Sequence, residues 1–181
     1  MERFGLSPLI RFTLLGLYVA LVLPLPVLAP EPLRPWMVAG LLTGLVLVLG
    51  LLSEQVETDA AGLRVRFPGW IRWLLRRIWS MEWADIRELI PVGTSQGGTV
   101  YYLKAADCRH QLLPQRIERF DLFLKLLSER SSVSTKGIGR LTPPWTYKVL
   151  ASLAALMVVG ELASGLAVSQ GWISLPAGYP G

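Results

Sequence analysis

The sequence predicts a membrane protein of mixed α and β structure: an N-terminal transmembrane helical hairpin, a small β-rich domain closed by a helix, and a third transmembrane helix. Three observations carry this. Two apolar stretches of bilayer length precede residue 54, and another follows residue 144. Only Gln55 to Arg130 alternates apolar with polar residues as strands do. The composition is 52% hydrophobic and only 17% charged, against the roughly 25% charged of soluble domains. The implied division is a hairpin over residues 1–53, a β domain over 54–130, a linker over 131–144, and a third helix with a short tail over 145–181.

The first span runs from Leu9 to Leu28, apolar except for Arg11 and Thr13, and the second from Pro35 to Leu52. The stretch from Pro24 to Pro35 is too rich in proline to stay helical, so the first helix is expected to bend or end near Leu23. A secretory signal is the competing reading, since Arg3 and Arg11 stand before an apolar run that closes on Val27-Leu28-Ala29. The second span follows almost at once and Pro30 sits just after the candidate cut, which disfavours cleavage. The third span, Trp145 to Val168, is introduced by Pro143-Pro144 and flanked by Trp145, Tyr147 and Trp172 as interfacial aromatics. Of 18 Lys and Arg residues, Arg3 and Arg11 stand at the head of the first span and Arg34 in the hairpin loop. The other fifteen fall between Arg64 and Lys148. The positive-inside bias therefore puts the domain and the N-terminus in the cytoplasm or its organellar equivalent, with the C-terminus across the membrane.

Within the domain, Gln55 to Asp59 and Leu63 to Phe67 read as one hairpin, turning at Asp59-Ala60-Ala61-Gly62, where Gly62 tolerates positive φ. Ile78 to Trp83 and Ile86 to Val92 read as further strands, the latter ended by the glycine-rich run Gly93 to Gly98. Thr99 to Ala105 and Arg109 to Leu113 form another hairpin around Ala106-Asp107-Cys108. From Arg116 to Arg130 the period becomes helical, with Ile117, Phe120, Leu124 and Leu127 on one stripe. Strands followed by one amphipathic helix imply a small sheet whose open end that stripe plugs. Trp83 is expected as a core aromatic, and Asp85 as the cap of a turn. Residues 131–144 have the composition of a linker.

Three sets of residues are candidates for contact. Trp70, Arg72, Trp73, Arg76 and Arg77 fall in the aromatic and basic stretch between the second and third strands. On a helix, Trp70, Trp73 and Leu74 would share a face while Arg72 and Arg76 stack on another, as in a segment lying among headgroups. The stretch is expected to dock on membrane lipids or a membrane-protein partner, unless its Trp and Leu side chains complete the core. Gly40 and Gly44 form a GxxxG in the second span, suited to packing within the chain or, less favourably, in a homo-oligomer. Gly160, Glu161 and Ser164 form a third set, small residues around an intramembrane carboxylate expected to meet another helix or the outer headgroups.

Chemistry is nearly absent from the sequence. One cysteine, Cys108, makes neither an intrachain disulfide nor a zinc site. His110 is the sole histidine, and Glu82, Asp85 and Glu88 have no nucleophile, metal-ligand spacing or glycine fingerprint beside them. Gly137-x-Gly139 is no phosphate loop. No catalytic residue, cofactor or metal is expected. Despite a pI of about 9.7 and a net charge of +5, nucleic acid is not expected as a partner, because positive-inside topology already accounts for the basic residues.

The order strand, glycine-containing hairpin, strand, Glu82-Trp83-Ala84-Asp85-Ile86, hairpin and closing helix resembles the bacterial pleckstrin-homology-like (PH-like) domain, in which a Trp-x-Asp-Ile element after the third strand is typical. The resemblance covers about residues 54–130. It implies a two-sheet, partly open β-barrel capped by a C-terminal helix, and a recognition or scaffolding module that is not an enzyme. Two spans followed by such a domain are also similar in layout to the photosystem assembly factors of cyanobacteria and chloroplasts, although the third span departs from them. That similarity implies an assembly scaffold in a plasma or thylakoid membrane. A module binding anionic headgroups is the second class of function, and a site built on Glu161 with partner residues the third.

Overall fold

The computed structural model describes residues 1–75, 78–95 and 97–172. Contacts divide the chain into two compact units, one of Met1–Pro8 with Gly50–Pro143, the other of Leu9–Leu49 with the chain from Pro144 onward.

The β unit begins earlier than its sequence pattern suggests. Glu2–Gly5 forms strand β1, which pairs antiparallel with β2 (Gln55–Thr58) in the register Arg3 to Glu57, Phe4 to Val56 and Gly5 to Gln55. β2 pairs in turn with β3 (Gly62–Arg66), and β3 with β4 (Trp79–Glu82), giving a four-stranded meander. Four residues of β1 are too few for an alternation to stand out beside the long apolar run that follows. The strand exists because Phe4, fully buried, fills the core. The second sheet contains β5 (Ile86–Gly93), β6 (Thr99–Ala105) and β7 (His110–Leu112), again antiparallel. Cys108 takes positive φ in the last hairpin, and Asp107 accepts the Arg109 backbone N–H at 3.1 Å.

The expected partly open barrel is not closed: the molecule has two open sheets. A 3-10 turn over Trp83–Asp85 breaks the chain between them. At the other side Leu6, just after β1, bridges Ile117, beyond β7, where the Ser7 N–H donates to Arg116 (3.0 Å) and the Glu118 N–H to Gly5 (2.9 Å). That pairing also shortens the expected Arg116–Arg130 helix. Arg119 adopts a left-handed conformation and α5 runs from Phe120 to Ser131 in the chain's full order of helices. Its stripe of Phe120, Phe123, Leu124 and Leu127 is buried against Phe4, Val56, Leu63 and Leu103, so the plug itself is as the periodicity implies.

Two local assignments change. Gly62 does not have positive φ; a side chain there would overlap the Met81 carbonyl oxygen of β4, so close strand approach requires the glycine. The turn capped by a carboxylate is the β2–β3 hairpin, where Asp59 accepts the N–H groups of Ala61 and Gly62 at 2.9 Å each. Asp85 contributes its backbone carbonyl to the Ala106 N–H at 2.9 Å. Trp83 is buried as expected, and its indole N–H donates to the Asp59 carbonyl at 3.0 Å. The 131–143 segment lies on the β unit: Val133 and Ile138 pack against the core, and the Gln115 side chain donates to Gly139 (2.9 Å) and Thr99 (3.2 Å).

In the other unit, α1 (Pro8–Val22) breaks at Leu23 as the prolines predict, but α2 (Pro24–Leu28) resumes helical geometry with Pro24 in its first turn, where its missing N–H costs nothing. The helices α3 (Arg34–Leu51) and α6 (Pro144–Ser169) complete it. Three segments, Pro8–Leu28, Glu31–Leu51 and Pro144–Ser169, are long and apolar enough to cross a membrane. The one-turn helix α4 (Gly69–Arg72) belongs to the β unit.

Candidate functional site: an exposed aromatic loop and the uncovered helices

Three strands line up so that Gly5, Gln55 and Arg66 stand side by side at one end of the first sheet. From that end the chain enters α1 after Gly5, arrives from α3 before Gln55, and leaves Arg66 into the loop that carries α4. Ile71 is buried, and its side chain lies so close to Gly50, in the last turn of α3, that a methyl group there would come within 2.6 Å of it. The Trp70 ring lies 3.2 Å from the same methyl position, and Leu75 is half-buried. Trp70 is 50% exposed, Trp73 74%, Leu74 46% and Ile78 45%, which excludes a core role for them. Arg72 is exposed beside them, and the Trp73 indole N–H donates to the Trp70 carbonyl at 3.0 Å. Arg76 and Arg77 lie outside the described residues. Because α4 is a single turn, the two-faced helix expected over 70–76 is not formed within the described part of the loop.

The GxxxG glycines separate. Gly44 faces the first helix, where Tyr18 occupies the space a side chain would need, and the Tyr18 hydroxyl donates to the Leu41 carbonyl at 2.6 Å. Among the described residues nothing lies within 4 Å of where a side chain would start at Gly40 or Gly160. Ser164 is exposed, and Glu161 is half-buried with its Oε2 shielded and without a hydrogen-bond partner among the described residues. Little of the helical surface is covered by this chain: 22% of the first span-length window is buried, and 6% of each of the other two.

The other polar groups singled out in the sequence lie apart from one another, Glu82 and Asp85 excepted. Glu82 and Asp85 line a shallow pocket of about 200 Å³ with Arg64 and Arg109, while Glu88 is apart from them, paired with Lys104 at 3.4 Å. His110 and Cys108 are exposed. Among the described residues no three of His, Cys, Asp and Glu come together as a metal ion would need. Two carboxyl groups are held below the usual aspartate range, Asp59 by the N–H groups of Gly62 and Ala61 and Asp107 by its hydrogen bonds from Arg109. The polar group that sequence reasoning missed is Glu57. Buried on β2, it pairs with Arg3 of β1 at 3.2 Å and Arg66 of β3 at 3.1 Å. Its alternation with Val56 resembles an ordinary exposed strand position, and only β1 makes it an interior one.

The uncharacterized protein slr0269 of Synechocystis sp. is 37% identical over 181 residues, an alignment covering 97% of this chain and 89% of the relative. The chain belongs to the slr0269 family. No family model matches it, and no solved structure matches it significantly. What the described residues of this slr0269-family member present is exposed apolar side chains at Trp70, Trp73, Leu74 and Ile78 and along α3 and α6.

Proposed function

We propose that the chain is a membrane-anchored, PH-like scaffold or adaptor that helps assemble or stabilise a larger membrane protein complex, and carries no chemistry of its own. The observation behind this reading is the uncovered apolar surface of the helices. With 6% of the α3 and α6 windows buried, Trp36, Leu42, Leu156, Val159 and Leu166 stand exposed, a surface that lipid and partner helices would cover. Two sheets with the α5 stripe buried against them support the PH-like part of this reading, and such modules present edges and loops to partners.

The pairing of β1 with β2 requires whatever lies between them to leave and return on the same side. It supports a hairpin that crosses twice, with the β unit and the N-terminus together; the basic residues favour the cytoplasmic or stromal side of a plasma or thylakoid membrane. Purification of the full chain in mild detergent after cross-linking in native membranes tests the proposal. A membrane-protein partner in fixed stoichiometry, linked through α6 or the β unit, is the expected result. Recovery with lipid alone would instead support the headgroup-binding reading, which the exposed aromatic loop favours.

A further inference from the structure

We infer that the outer face of the second sheet docks an amphipathic helix of a partner protein, laid on the apolar rows Ile90–Tyr102–Leu112 and Val92–Val100. The inference rests on the scaffold reading and deepens it, naming one surface of the β unit and the kind of segment that meets it.

The strand registers build the patch. Ile90 pairs with Tyr102 and Tyr102 with Leu112, so three apolar side chains stand in one row across β5, β6 and β7; Val92 opposite Val100 makes the next row. Along β6 these residues alternate with Leu103 and Ala105, which belong to the core, so both rows lie on the face turned away from it. Val92 is 42% exposed and Leu112 49%. Ile90, Val100 and Tyr102, flanked by neighbours in the sheet, are half-buried, and none of them is among the residues packed on the core. An antiparallel sheet with one face on a core ordinarily carries polar residues on the other. Here only the row Glu88–Lys104–His110 does so. Apolar side chains exposed singly need no explanation, whereas a contiguous set rimmed by polar residues marks an interaction site.

Backbone hydrogen bonding and size select the occupant. An extended segment lying flat on a sheet face would bury N–H and C=O groups that the face cannot satisfy, because the sheet's own bonds run between its strands. A helix or another sheet brings its backbone bonds with it. A second copy packed face to face needs more surface than is there. Two rows about 7 Å apart on strands about 4.8 Å apart offer roughly a few hundred Å², against about 800 Å² per partner in a stable dimer. Two turns of helix fit: an apolar stripe at i, i+3, i+4 and i+7 is about 10 Å long, the spread of three strands. Glu88 and Lys104, joined at 3.4 Å, bound the patch on one side and would meet the polar flank of such a helix.

The full chain carrying the photo-cross-linker p-benzoylphenylalanine at position 92, 112 or, as a reference, 60 would be irradiated in native membranes and the linked peptides sequenced. Ala60 is exposed in the β2–β3 turn of the other sheet. Yields at 92 and 112 should exceed that at 60 several-fold, and the linked peptide should repeat apolar residues at i, i+3, i+4 and i+7. Val92→Glu should cut the yield at 112 several-fold, and Leu112→Glu the yield at 92. Both sites are exposed, and an unchanged urea midpoint shows for each variant that the fold is retained. Yields at 92 and 112 no higher than at 60 would overturn the proposal, as would links to lipid, to a second copy of this chain, or to a segment alternating as a strand does. A partner that co-purifies in fixed stoichiometry but links only elsewhere removes this inference and leaves the scaffold reading standing, whereas the absence of any partner protein removes both.

Discussion

Phe4 lies four residues from the start of the chain and is fully buried, with its ring edge-on to Phe123 at 5.6 Å and the Arg119 guanidinium 5.3 Å from its centroid. Replacing it with alanine should cost about 3 to 5 kcal/mol, since the cavity would sit where both sheets and α5 converge. Gly62→Ala should cost about 1 to 3 kcal/mol, because the Met81 backbone must retreat; denaturant titration measures both. Asp59 is the test of pH. Its folded pKa lies below the ordinary aspartate value because the Gly62 and Ala61 N–H groups favour the ionised form. Stability from that ionisation is therefore complete above the unfolded pKa of about 3.9 and lost as pH falls through the lower folded value. The stability gap between wild type and Asp59→Asn should be constant from neutrality to about pH 5 and narrow in stronger acid. At this scale the sequence discloses the turn but not its mechanics. Asp59 and Gly62 are visible as turn residues, whereas the neighbour that forbids a Cβ at Gly62, Met81, is nineteen residues away.

Among the elements, those with a long repeat were legible and those made by pairing were not. The three apolar helices and the α5 stripe are written in local periodicity, and observed ends differ from expected ones by a few residues except at Arg116–Arg119, where strand pairing with Gly5–Ser7 wins. β1 has no local signal. It is specified by Phe4 and by the Arg3–Glu57–Arg66 cluster across three strands. Glu57→Ala should destabilise the sheet by about 1 to 3 kcal/mol, the scale of charge-assisted hydrogen bonds, and Arg3→Ala by less because Arg3 is exposed. The contrast between the two in urea unfolding identifies Glu57 as the centre of the cluster. In the hairpin, Tyr18→Phe removes the bond to the Leu41 carbonyl and should weaken α1–α3 association by about 0.5 to 1.5 kcal/mol, readable by steric-trap unfolding in detergent. The aromatic loop was legible as a composition, but its outward exposure and its anchorage on Gly50 were not, because both depend on the register of β1, β2 and β3.

For the whole molecule, the decisive feature is that the helical hairpin is inserted into a sheet. Residues 54–130 expressed alone would lack the Phe4 strand and the packed 131–143 segment, and should give poorly dispersed amide spectra. Because Gly5 and Gln55 are paired neighbours, residues 1–7 can be joined by a short turn to residues 54–143, replacing the hairpin. That chimera should give dispersed spectra and a cooperative unfolding transition, while the same chimera carrying Phe4→Ala should not.

The insertion bears on how the chain is made. Its opening strand is made some fifty residues ahead of the strand it pairs with, so the sheet can be completed only once the intervening helices have been synthesised. Were the two helices to cross a membrane as proposed, a copy stranded after one crossing would leave an aromatic plug and its socket in different compartments. In that arrangement completion of the sheet would report that both crossings had been made, and stranded copies would remain open to quality-control proteases.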